Sequence, residues 1–261
     1  MDIVTTPTAT RTQTRRFAYR FLTAVPALLV ALFGGRLLIA GWFATADGGS
    51  HRLHDLSWGV LEGVVILVGL VASLWRPRRW PAAYQQVGVG LAALLLTMGL
   101  VREGDPATLV VGGVIVIAAL LHPAREQLSR FGPWDRRSLI VALVTAPPLL
   151  AYAVGQAALQ RGGVSSDPHV EMAHYAGTAA VALALTGMVA LSASHRPGQR
   201  IVAASTVVGL AVLGVASLLW PALPSSFGAI GGGVALAAAA GVAATAFRPA
   251  DGTSTGTDRD S

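Results

Sequence analysis

Apolar runs of about twenty residues recur along this chain, each closed by a short polar, Pro- or Gly-containing stretch. Spanning a bilayer takes about 20 mostly apolar residues per helix. Eight segments meet that pattern, at roughly 20–43, 54–76, 82–101, 107–122, 138–160, 170–194, 201–220 and 228–247. Their closures include Arg76-Pro77-Arg78-Arg79 and Ser194-His195-Arg196-Pro197-Gly198. Pro147-Pro148 falls inside the fifth segment, where a membrane helix accommodates it as a kink. The tails, 1–14 and 250–261, are rich in Thr, Ser, Asp and Gly and read as disordered, with no lipidation signal.

An offset of about 120 residues superposes one half of the pattern on the other. His54 precedes Arg76-Pro77 by 22 residues, and His174 precedes Arg196-Pro197 by the same interval. Gly112-Gly113-Val114 matches Gly232-Gly233-Val234, and Gly35 matches Gly155. The sequence therefore predicts an all-α integral membrane protein whose eight transmembrane helices form two pseudo-symmetric four-helix repeats. Its expected divisions are a cytoplasmic tail at 1–19, a first repeat at 20–125, a cytoplasmic linker at 126–137, a second repeat at 138–249 and a cytoplasmic tail at 250–261. An even helix number per copy gives both copies one orientation, related by an axis along the membrane normal.

Composition agrees. The 261 residues are 53% hydrophobic and 12% charged, with a mean hydropathy of +0.60. Soluble domains carry roughly 25% charged residues, so a soluble fold would lack the polar groups to cover its surface. With no cysteine, disulfide scaffolds, thiolate metal sites and cysteine nucleophiles are excluded. All 19 basic residues are arginine, giving a net charge of +6. With the N-terminus in the cytoplasm, fifteen arginines fall on the cytoplasmic side and three, Arg52, Arg102 and Arg161, on the other. This positive-inside bias explains the basic balance without nucleic acid. It predicts a multi-pass protein of the plasma membrane with both termini cytoplasmic, whose one assigned partner is the lipid bilayer. Ala44-Thr45-Ala46 resembles a signal-peptidase site, but the apolar run before it exceeds the ~7–15 residues of a signal peptide, so the first helix is read as retained.

Polar residues that orientation leaves unexplained gather at the extracytoplasmic face. At 100° per residue, His51, Asp55, Trp58 and Glu62 form one stripe on the second helix, with His54 beside it. Glu171, His174 and Thr178 form a shorter stripe on the sixth. The repeat makes His54 and His174 equivalent, so a pseudo-two-fold axis would set them face to face. Histidines near carboxylates hold a divalent metal or, as axial ligands, haem. The candidate ligands are His54, His174, Asp55, Glu171, His51 and His169. The same residues also read as helix caps and hydrated interfacial groups: Asp167 suits an N-cap and Pro168 the first helical position. Arg36 and Glu62 lie at matching depth in the first two helices, and charges there should pair. Tyr152, Gln156 and Gln160 share one face of the fifth helix.

His54-Asp55-Leu56-Ser57-Trp58-Gly59 with Asp167-Pro168-His169-Val170-Glu171 resembles a group of uncharacterised actinobacterial multi-pass membrane proteins, which implies the architecture and no activity. The four-plus-four arrangement is also similar to haem A synthase. In that family histidines come from the second and fourth helix of each half, whereas here His122 lies at the opposite end of the fourth and the eighth has none. Three functions fit these residues. One is metal or haem binding at the outer face, the second a structural or partner-binding role, and the third carriage of a small solute or proton past Arg36 and Glu62.

Overall fold

The computed structural model describes residues 7–43 and 49–248, with side chains from Thr12 onward. The Ala44-Thr45-Ala46 triplet and the C-terminal tail lie outside those residues. Among the described residues eight principal helices follow in order: α1 (Pro7–Phe43), α2 (Arg52–Trp75), α3 (Pro81–Val101), α4 (Pro106–Leu121), α5 (Arg136–Gly162), α6 (His174–Ser192), α7 (Gln199–Leu219) and α8 (Gly228–Ala246). Single-turn helices occupy Arg125–Leu128 and Pro168–Glu171. Among the described residues the β pairing is one isolated bridge, Trp134 with Ser194.

Seven of these helices are long and apolar enough to cross a membrane. α4, with 16 residues, is shorter; at 1.5 Å per residue it reaches about 24 Å, less than the ~30 Å hydrocarbon core. Lipid-type surface is present where a soluble protein would be polar. Leu28, Leu32, Phe33 and Ile39 of α1 and Leu143 and Val144 of α5 are all exposed.

Helix starts follow local chemistry. Asp105 accepts from Ala107 N and Thr108 N with Pro106 at the first helical position, and Asp135 accepts from Ser138 N. Each cap satisfies amide groups that the first turn leaves free. Pro26 in α1 and Pro147 and Pro148 in α5 stand inside continuous helices.

Two boundaries differ from the sequence reading. α1 begins at Pro7, so the stretch from Pro7 to Thr14 is helical instead of disordered; no glycine or proline interrupts it before Pro26. The predicted sixth segment does not start at 170. Ala173 takes a left-handed backbone (φ 53°), which separates the turn Pro168–Glu171 from α6.

The bundle has two distinct ends. At the arginine-rich end, Arg196 donates to Arg130 O and, at 2.7 Å, to Gln127 O, and Trp75 and Trp80 flank Arg76. At the histidine end, Arg52 lies over the Trp220 ring at 4.7 Å and donates to Trp42 O.

Between the ends, α1 and α2 cross at glycines. A Cβ at Gly59 would stand 2.5 Å from Leu38 N, and one at Gly34 would stand 2.5 Å from Glu62 Cβ. α2 is α-helical to Gly59, π-helical over Val60–Ile66 and α-helical again to Trp75.

Candidate metal centre

Four histidines converge at the histidine end, His51 at the N-cap of α2, His54 in its first turn, and two from the chain around the break before α6. His54 is fully buried, and its ring stacks on His174 with centroids 4.6 Å apart and planes 23° from parallel. His51 stacks on His169 at 4.9 Å. His169 lies 4.8 Å from His54, ring to ring. One ligand nitrogen each from His51, His169 and His174 falls within 4.8 Å of the other two.

The hydrogen bonds prepare these rings unequally. Nδ1 of His51 and Nδ1 of His174 are 3.2 Å apart. Four nitrogens at the 2.0–2.1 Å typical of zinc stand about 3.3 Å from one another at tetrahedral corners. The observed separation is thus that of two ligands sharing an ion, as well as that of a ring-to-ring hydrogen bond. Asp167 Oδ1 accepts from His169 Nδ1 at 3.0 Å and also from the His169 backbone N–H at 2.9 Å. The backbone N–H, then the ring, hold the Asp167 carboxyl below the usual carboxylate range. A carboxylate on Nδ1–H leaves the lone pair on Nε2, the tautomer that binds metal. Nε2 of His169 is buried with no hydrogen-bond partner, and so is Nε2 of His54. Thr178 Oγ1, which donates to His174 O, lies 3.5 Å from His54 Nδ1.

The loop carrying His169 is tied down by the face of α5 that sequence periodicity picks out. Gln160 Nε2 donates to Val170 O at 2.8 Å and to Glu103 Oε2 at 3.2 Å. Tyr152 OH donates to Ser225 O, and Ser225 Oγ donates to Gln156 Oε1.

Of the six residues expected as ligands, the four histidines come together, Asp55 stands beside His51 outside the ring contacts, and Glu171 stands apart. Asp55 is half-buried one helical turn beyond His51, and the charges acting on it are His51 and Arg36. Glu171 is exposed and lines a different cavity, because the chain turns at Ala173 before α6 begins. The carboxylate that serves the cluster is Asp167. The sequence reading treats it as a cap; its two-residue spacing to His169 is the signal that was there.

The expected Arg36–Glu62 ion pair is not formed. The ion pair among the described residues is His169 with Asp167. Glu62 Oε2 is buried without a partner, and Arg36 is exposed. Gly34 turns its face of α1 to Glu62. Two residues further on, 200° around the helix, Arg36 points the other way. The single stripe expected on α2 also divides. His51, His54 and Trp58 face α6, Trp58 packing on Gly177, while Glu62, with the other side of Trp58, lines a cavity against α3 and α4.

Sequence periodicity also misses Gln86. Buried in α3, it donates to Val64 O and Val65 O inside the π-helical stretch and lies 3.1 Å from Ser205 Oγ. Gln86 follows Gln85 directly, and nothing in the sequence tells which of the two is turned into the bundle.

No protein family, curated protein or solved structure matches this chain.

Proposed function

We propose that this polytopic membrane protein holds a divalent transition-metal ion in a histidine site at its extracytoplasmic face. The observation that carries the reading is the triad of nitrogens from His51, His169 and His174 within 4.8 Å of one another, with Asp167 orienting the His169 ring. Neutral imidazoles suit zinc, copper, nickel and iron, whereas calcium and magnesium take oxygen ligands. His54 stands against three of the rings as a fourth donor. The set favours a bare ion over haem. Axial ligation places two rings end-on across an iron with the macrocycle between them, and His54 and His174 are packed face to face at 4.6 Å.

The finer topology belongs to the same proposal. We read α4 as an eighth, short span. It runs beside α1, with Arg15 donating to Leu120 O at the arginine-rich end, and Tyr84 OH of α3 donating to Ile115 O. The arginine bias puts that end in the cytoplasm, in the plasma membrane, with the histidines outside. The stacked His54 and His174 are the landmark pair of the proposed four-plus-four repeat.

Metal analysis of protein purified without chelator, followed by cobalt titration in nanodiscs, tests the function. The expected result is one ion per chain and a visible cobalt spectrum of low-symmetry nitrogen ligation. His174→Ala should lose at least tenfold in affinity. A metal-free protein that binds neither cobalt nor zinc at micromolar concentration overturns the reading.

A further inference from the structure

Glu62 is a carboxylate in the membrane-spanning part of the bundle with no ion-pair partner among the described residues, and it faces space. A cavity of about 350 Å³ lies between α1, α2, α3 and α4. Phe33, Trp58, Leu94, Val111 and Ile115 are among its apolar lining residues, and Glu62 and Asp105 are the charged ones. α4 packs along α1, and the hydrogen bond from Tyr84 OH to Ile115 O ties it to α3. The widened π turn of α2 carries Glu62 at this wall; such turns recur at functional sites.

A second cavity of about 350 Å³ continues from the first toward the histidine end. The two share Trp58, Leu94, Asp105 and Thr108. The outer one adds Glu103 and Glu171, so three carboxylates ring it. Hydrogen bonds to Asp105 from Thr108 and Ala107 hold its carboxyl below the usual range, which keeps that rim negative. Like-signed charges at the mouth of a low-dielectric cleft concentrate the opposite ion.

We propose that the inner cavity binds a small organic cation with an apolar body, entering through the acidic outer cavity. Its charge sits on Glu62 and its body against Trp58 and Phe33. A hard metal ion does not suit the place, since Glu62 and Asp105, the latter already accepting the helix-capping hydrogen bonds of Ala107 and Thr108, cannot supply six to eight oxygens among apolar walls. An anion is excluded by the sign of every acid lining the route. A cation with methyl or aromatic groups fits both terms, because Glu62 meets the charge and an indole face attracts it. The volume suits a molecule of drug-fragment size. This site stands apart from the histidine cluster and does not rest on metal binding there.

Benzyltrimethylammonium is the probe. Full-length protein in nanodiscs is titrated by calorimetry, with empty nanodiscs subtracted. The expected result is saturable one-to-one binding, weakened at least tenfold in Glu62→Gln and partly kept in Glu62→Asp. Gly112→Val tests the same space without touching the carboxylate. Gly112 lines the cavity, and a Cβ there meets only Leu91 Cδ2, at 3.6 Å, so the added methyls occupy ligand space and should also weaken binding tenfold. Melting temperature and a monodisperse elution profile check the fold of each variant. No saturable binding up to millimolar probe overturns the proposal. So does equal affinity in wild type and a folded Glu62→Gln.

Discussion

Asp167 serves the structure twice with one carboxylate, capping the turn Pro168–Glu171 through the His169 N–H and gripping the His169 ring. Asparagine caps a helix as well as aspartate does but carries no charge to lend an imidazole. Asp167→Asn should therefore leave the melting temperature of the metal-free protein nearly unchanged while lowering cobalt or zinc affinity about 10–100-fold, the usual effect of losing such a partner. Parallel loss of stability and affinity would instead assign it to the cap alone. His122, at the C-terminal cap of α4, is a different kind of histidine. It is fully buried, accepts from Ala124 N through Nδ1, and is flanked by the Tyr19 and Tyr84 rings. Desolvation pushes its pKa down to about 4. Since the folded value lies below the unfolded ~6.5, its contribution is complete above pH 6.5 and is lost as pH falls toward 4. About 2 kcal/mol should disappear between pH 7 and pH 4.5. Thermal unfolding across that range should show a steeper decline in wild type than in His122→Asn.

At the scale of elements, the π turn in α2 sets which way Glu62 faces, and Gln86 supports the turn from α3. Its side chain satisfies two carbonyls, Val64 O and Val65 O, within that stretch. Gln86→Leu fills similar space and removes those bonds, so it should destabilise by about 1–3 kcal/mol. An unchanged melting temperature would show that the π turn holds itself. The α1–α2 crossing is tighter still. A side chain at Gly59 runs into the Leu38 backbone, which cannot rotate away as a side-chain end can. Gly59→Leu should lower stability by about 1–3 kcal/mol through overpacking, with Gly88→Ala, where a Cβ meets nothing within 4 Å, as the neutral control. Both read out as melting temperatures in detergent. These elements show how far periodicity reaches. Apolar runs place the helices to within a few residues. They assume 3.6 residues per turn throughout, and so cannot see a π segment that re-aims every side chain after it.

For the whole molecule, orientation is the statement most open to direct measurement. The chain has no cysteine, so a single introduced one is the sole reporter. Ser129 at the arginine-rich end and Ser166 at the histidine end are both exposed. In intact cells, a membrane-impermeant maleimide should label Ser166→Cys and leave Ser129→Cys unlabelled until the membrane is opened. The reverse pattern would invert the topology and put the histidine site in the cytoplasm.

The sequence by itself determined the class, because hydrophobic length and charge depletion are sums over residues and need no coordinates. It also named the four histidines and the α5 face of Tyr152, Gln156 and Gln160, since these lie on regular helical spacing or recur between the halves. Only the tertiary structure decided which groups meet. The break at Ala173 carries Glu171 away and leaves Asp167 against His169. The Gly34 contact turns Arg36 from Glu62. The parting of α4 from α3 opens the space that Glu62 faces. Each depends on backbone direction at a single residue or on the gap between two helices, and neither is encoded in the period of a pattern.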